Sequence, residues 1–167
     1  MPVPQPVPYQ YPLPQPVPYK YPVPCPEPVC PPRCCDPGDD VAFGYFASDT
    51  AGGVIASGMV PLNFSGEQNE GMSLTGLNNT RVRVDEDGIY RVVYSVSAAL
   101  PATGTLELLL NDTAVEGSAI PLIAGTNINE IFLELEEDDT VSLSVSSAVT
   151  LVAGKNASLL LQRIADL

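Results

Sequence analysis

The stretch Asp85-Glu86-Asp87-Gly88-Ile89-Tyr90-Arg91-Val92-Val93-Tyr94-Ser95-Val96-Ser97 decides how this chain is read. It opens on an acidic, glycine-ended turn signal and runs into β-branched and aromatic residues, which suit a pleated, half-buried surface. It closes on Ser95-Val96-Ser97, an alternation with the period of a strand. A strand over residues 89–100, entered through a turn at 85–88, follows.

Working outward, the same grammar recurs on both sides. Further strands are expected at residues 41–47, 81–84, 105–110, 129–135, 140–146 and 157–164. The run Val141-Ser142-Leu143-Ser144-Val145-Ser146 alternates cleanly. Turns are expected at Asn111-Asp112 and at Glu136-Glu137-Asp138-Asp139. Roughly eight to ten short strands with these punctuations, and no helical periodicity, indicate an all-β antiparallel sandwich or jelly roll over residues 41–167.

The opening stretch also resembles the "acid–Gly–x–Tyr–x–hydrophobic" strand entry of C1q/TNF-like jelly rolls. The runs Leu106–Asn111, Val115–Ser118, Leu133–Leu143 and Ala157–Ile164 extend the match. Together they resemble the C-terminal domain of BclA-type exosporium glycoproteins of bacterial spores, across most of residues 41–167. The resemblance implies a homotrimer with aromatic and aliphatic residues on the threefold axis, for which Tyr94 and Phe132 are the candidates; ordinary intradomain core is the alternative for each.

Residues 1–40 obey different rules. Fifteen of the 18 prolines lie in residues 2–37, and a ten-residue unit repeats from Pro2, Pro12 and Pro22 with proline at every second position within each unit. Each proline fixes its own φ and pushes the preceding residue toward extended backbone, so this arm is neither helical nor a central sheet strand. Solvated spacers favour charged and small polar residues, whereas this arm carries Val7, Tyr9, Tyr11, Val17, Tyr19 and Tyr21 between prolines. Those side chains form an apolar, tyrosine-rich edge suited to contact with another subunit. About 35 residues at roughly 3.1 Å each reach on the order of 110 Å, well beyond the roughly 35–40 Å diameter of the domain. A collagen-like arm is excluded, since the first glycine is Gly38 and collagen needs one at every third position.

All four cysteines, Cys25, Cys30, Cys34 and Cys35, sit at the end of this arm. A zinc site fits poorly, because the chain has no histidine and adjacent cysteines rarely serve one metal. No C-x-x-C motif or basic cluster marks a reactive thiol. Prolines hold the intervening chain extended, which makes local loops hard to close at disulfide geometry and favours bridges between chains. All four are candidates for interchain disulfides.

The formal net charge is −13. Residues 1–40 carry four acids and two bases, and residues 41–167 carry 16 acids and five bases. Such a surface repels phosphate backbones and anionic lipid, so neither nucleic acid nor a membrane is an expected partner. The start, Met1-Pro2-Val3-Pro4, has no basic and apolar signal-peptide regions. Without histidine no Ser-His-Asp or Cys-His arrangement can form, and no phosphate-binding loop is present; an enzyme is not expected, nor a cofactor. The acidic turns could in principle hold calcium, but charged turns are ordinarily solvated, and no metal is assigned.

The chain departs from the BclA pattern by having a proline arm in place of a collagen-like stalk. The expectation is a structural subunit of a spore-surface appendage fibre, whose trimers stack head to tail through arms inserted into the next trimer and cross-linked by disulfides. Its partners are then further copies of itself, with anchor and tip proteins at the spore surface. The alternative is a trimeric adhesin or ligand-binding tip tethered by the arm.

Overall fold

Along Gly88–Ala98 every second residue is buried, from Gly88 through Tyr90, Val92, Tyr94 and Val96 to Ala98. A strand sends successive side chains to opposite faces, so this alternation buries one face of one strand along its whole length. Full burial of a side chain of the size of Val or Phe is worth about 1.5–3 kcal/mol, which makes this strand a principal support of the core. The computed structural model describes residues 42–50, 53–67, 69–99 and 103–167. The expected boundary at residue 40, the arm and its four cysteines lie outside the described residues.

The strands in chain order are β1 (Phe43–Thr50), β2 (Val54–Ile55), β3 (Gly58–Met59), β4 (Phe64–Ser65), β5 (Met72–Thr75), β6 (Arg81–Val84) and β7 (Gly88–Ala98). They continue as β8 (Thr105–Leu110), β9 (Thr113–Ala114), β10 (Ile120–Pro121), β11 (Gly125–Leu135), β12 (Thr140–Val145), β13 (Val149–Thr150) and β14 (Gly154–Ala165). One sheet has the order β11-β7-β14-β1-β4. The other runs β10-β8-β12-β6-β5, with β3 beside β12 and β9 beside β8, and a small pair joins β13 to β2. All neighbours are antiparallel. From β6 the chain repeatedly crosses between the sheets (β6 to β7 to β8, then β10 to β11 to β12, then β14), which is jelly-roll winding.

Between the sheets lies one apolar core, including Phe46, Leu62, Val82, Tyr90, Tyr94, Leu106, Leu108, Leu143, Leu159 and Leu161. The strands expected at 81–84 and 105–110 are found at those bounds. The strand expected from 129 starts four residues earlier, because Gly125 to Ile128 continue the ladder onto Ala98 to Ser95. The short strands β2, β3, β4, β9, β10 and β13 carry two residues each, too few for an alternation to register in sequence.

The turns expected at 111–112 and 136–139 are both present. Asn111 and Asp112 turn between β8 and β9 with φ of 49° and 65°, and Asp138 adopts φ 70° before β12. Asn and Asp tolerate this left-handed region better than other side chains. Gly88 has a different reason. A Cβ there would come within 2.7 Å of both the Ala165 carbonyl oxygen and Arg163 Nε, so β14 packs against backbone where β7 begins.

The two ends of the sandwich differ. Gly88 pairs with Leu135, which brings the acidic turns at 85–87 and 136–139 to one end, and β1 begins near there too, with Phe43 opposite Gln162. At the other end Ala98 lies opposite Gly125 and Leu151, and the exposed side chains include Val54, Ile123 and Val152.

A candidate self-association face

The inner face of the five-stranded sheet is core; its outer face is the candidate site. Strand register assembles that face in rows. One row runs Phe132, Arg91, Gln162, Phe43; the next runs Glu130, Val93, Leu160, Tyr45. A third runs Ile128, Ser95, Ser158, Ala47, Phe64. Tyr45 and Phe64 meet edge to face with ring centroids 6.2 Å apart, and the hydroxyls of Ser95 and Ser158 lie 2.8 Å apart. Ile128 and Phe132 remain 64% and 57% exposed. They stand two residues either side of Glu130 on β11, the strand at the sheet's edge.

Among the described residues one ion pair crosses these rows. Arg91 Nε donates to Glu130 Oε1 at 2.8 Å and its Nη2 donates to Glu130 Oε2 at 2.9 Å, a bidentate fork. The hydrogen bond from Arg91 holds the Glu130 carboxyl below the usual carboxylate range, and the same bond raises Arg91. The pair therefore keeps its charges as pH falls past the point where an ordinary glutamate protonates.

The two residues expected on a threefold axis fall on different sides of the sheet wall. Phe132 lies on the outer face. Tyr94 is 0% exposed within one chain, so its ring is intradomain core and the expectation is corrected for it. Its hydroxyl donates to the Ser118 carbonyl and accepts from Asn129 Nδ2, and burial pushes that hydroxyl's pKa up. The distinction depends on strand parity: inward side chains are even-numbered on β7 and odd-numbered on β11. Ile128, Val93 and Leu160 were not singled out from sequence, because only register aligns them. The arm residues Val7, Tyr9, Tyr11, Val17, Tyr19 and Tyr21, with Cys25, Cys30, Cys34 and Cys35, lie outside the described residues.

The turn into β7 has a structural task. Tyr90 donates its hydroxyl to the Glu86 carbonyl at 2.8 Å, and Arg163 bridges Glu86 and Asp166 at 2.7 and 2.6 Å. The acidic turns spend carboxylates inside the protein. Arg83 pairs with Asp85 at 3.0 Å, and Asp139 accepts from the Glu136 amide and from Asn111 Nδ2. Among the described residues no group of three or more His, Cys, Asp or Glu is placed to hold a metal ion, and no helix is long and apolar enough to cross a membrane.

This architecture has solved counterparts. The Eiger TNF from S. frugiperda superposes with a TM-score of 0.59 at 15% identity, covering 76% of this chain and 94% of that one. Murine APRIL gives 0.54 at 13% identity over 74% and 99% of the two chains, and pika GITRL gives 0.50 at 14% over 75% and 97%. The fold is thus a C1q/TNF-like jelly roll. No curated protein matches the chain. Residues 45–165 match the BclA C-terminal domain, and the chain belongs to that family.

Proposed function

We propose that this chain is a structural, non-enzymatic subunit of a spore-surface appendage fibre. In this reading three copies associate through the outer face of the β11-β7-β14-β1-β4 sheet, with Phe132 and Ile128 at the contact. The trimers are strung head to tail through the proline-rich arms and cross-linked by the arm cysteines. The observation that carries the reading is the exposed apolar pair Ile128 and Phe132 beside the half-buried Val93, Leu160 and Tyr45. Exposed apolar side chains grouped on one face of a folded domain suit an interaction site. Membership of the BclA C-terminal domain family supports a place at the spore surface, and the arm's composition and reach support a connector.

The unequal ends favour stacking of unlike ends. Two acidic ends brought together repel, whereas an acidic end meeting the opposite end, which lacks those acidic turns, does so less. A heterologous contact of this kind does not close and gives a filament. Deleting residues 2–35 tests the reading by sedimentation and negative-stain microscopy: trimers persist and fibres vanish. Fibres that form undiminished without the arm would sink it. Fibres that vanish while a monomer replaces the trimer would count against the outer face as an independent contact.

A further inference from the structure

Strand β11 is an 11-residue edge, and its protection against pairing is limited to two glutamates, Glu130 and Glu134. Its ladder onto β7 runs from Gly125 to Leu135 without a register shift, and it contains neither proline nor lysine. Bulges, prolines and charged side chains, lysine above all, are the usual protection of a sheet edge, and a long edge with little of it is a template for another strand. The terminal strands at the other edges are short: β4 and β10 have two residues each, and β5 has four.

The backbone groups on this free edge can be identified. Ser97 accepts from the Val152 amide and Ala99 donates to Thr150, so odd residues of β7 turn their backbone groups away from β11. By alternation the even residues of β7 face β11 and bond its odd ones, their paired partners. The backbone groups of Thr126, Ile128, Glu130, Phe132 and Glu134 therefore point to the free edge, and their side chains lie on the outer face.

The arm carries a matching pattern in its sequence. From Pro2 to Pro28 every proline is at an even position, and every odd position from Val3 to Val29 has an amide N–H. A polyproline helix repeats every three residues and would spread these prolines round all its sides. A strand repeats every two, and residue i offers its N–H and C=O to the same neighbour. As a strand, this arm has one edge with every donor and acceptor and an opposite edge blocked by proline. It can add to a sheet once and then ends it.

Resting on the fibre reading above, we propose that the arm of one copy adds as a strand to the β11 edge of another copy, through its odd-numbered residues. Direct pairing with the even residues of β11 puts Val7, Tyr9, Tyr11 and their repeats on the face that carries Ile128 and Phe132. A second copy of β11 is a poorer occupant. Twofold pairing centred on the strand sets Glu130 against its own copy, and like charges directly opposite are destabilising.

The test turns on parity and uses the full chain. Gln5→Pro with Gln15→Pro removes two amides from the pairing edge without removing an apolar side chain. Gln10→Pro with Lys20→Pro removes two from the edge already blocked. Fibre formation is followed by sedimentation and negative stain. The odd pair should raise the critical concentration roughly tenfold or more, as expected for two lost hydrogen bonds, and the even pair should leave it nearly unchanged. Hydrogen exchange on wild-type fibres should show new protection at Ile128, Glu130 and Phe132. Equal effects of the two pairs, or unaltered exchange at those amides in the fibre, would overturn the pairing while leaving the fibre itself intact. A wild-type chain that forms no fibre would remove the underlying reading as well.

Discussion

Tyr94 and Phe132 show how one residue's meaning depends on its strand's parity. Both are aromatic, both sit in long alternating strands, and composition cannot separate them. Tyr94 is even-numbered on β7 and inward; Phe132 is even-numbered on β11 and outward. Only the ladder of β7 onto β11 makes the difference visible, and a single sequence does not carry that register. The buried hydroxyl is the more consequential group for stability. Tyr94→Phe removes a donor to the Ser118 carbonyl and an acceptor for Asn129, stranding both. A loss of about 1–2 kcal/mol follows, read as a lower urea midpoint at unchanged slope. An unchanged midpoint would mean that neither partner needs the hydroxyl.

At the scale of elements, turn chemistry was more legible than strand count. The Asn111-Asp112 and Glu136–Asp139 signals led to real turns, because positive φ selects residue types locally. The two-residue strands left no such trace, since they owe their existence to neighbours brought from elsewhere. The two legible turns also hold each other. Asn111 donates its Nδ2 to Asp139 at 2.6 Å and accepts from the Thr140 amide at 2.9 Å, tying the β8–β9 hairpin to the entry of β12. Asn111→Ala loses both bonds and places alanine at a left-handed φ of 49°. The cost should be roughly 1–3 kcal/mol, measured as a fall in Tm. A Tm matching the wild type would show that the turns hold independently.

For the whole molecule, the family and the jelly roll were readable from ordered motifs. The outer face proposed for association was not, because five strands contribute to it from residue 43 to residue 162. Its dependence on solution conditions follows from charge. A chain of net charge −13 repels its copies, and the Debye length shrinks from about 30 Å at 0.01 M salt to about 8 Å at 0.15 M. Self-association should therefore strengthen over that range in sedimentation equilibrium. Weakening instead would mean that attraction between opposite charges holds the copies together.

The four arginines of the described domain have one further consequence. Arg81, Arg83, Arg91 and Arg163 all lie within strands and are all ion-paired, and Lys155 lies within β14. Enzymes that cleave after basic residues need a segment of several residues that can leave its hydrogen bonds, and such segments are loop tips. No loop among the described residues offers them one. Digestion by a trypsin-like protease must wait for strands to open, so the folded domain is a poor substrate for that whole class of enzyme.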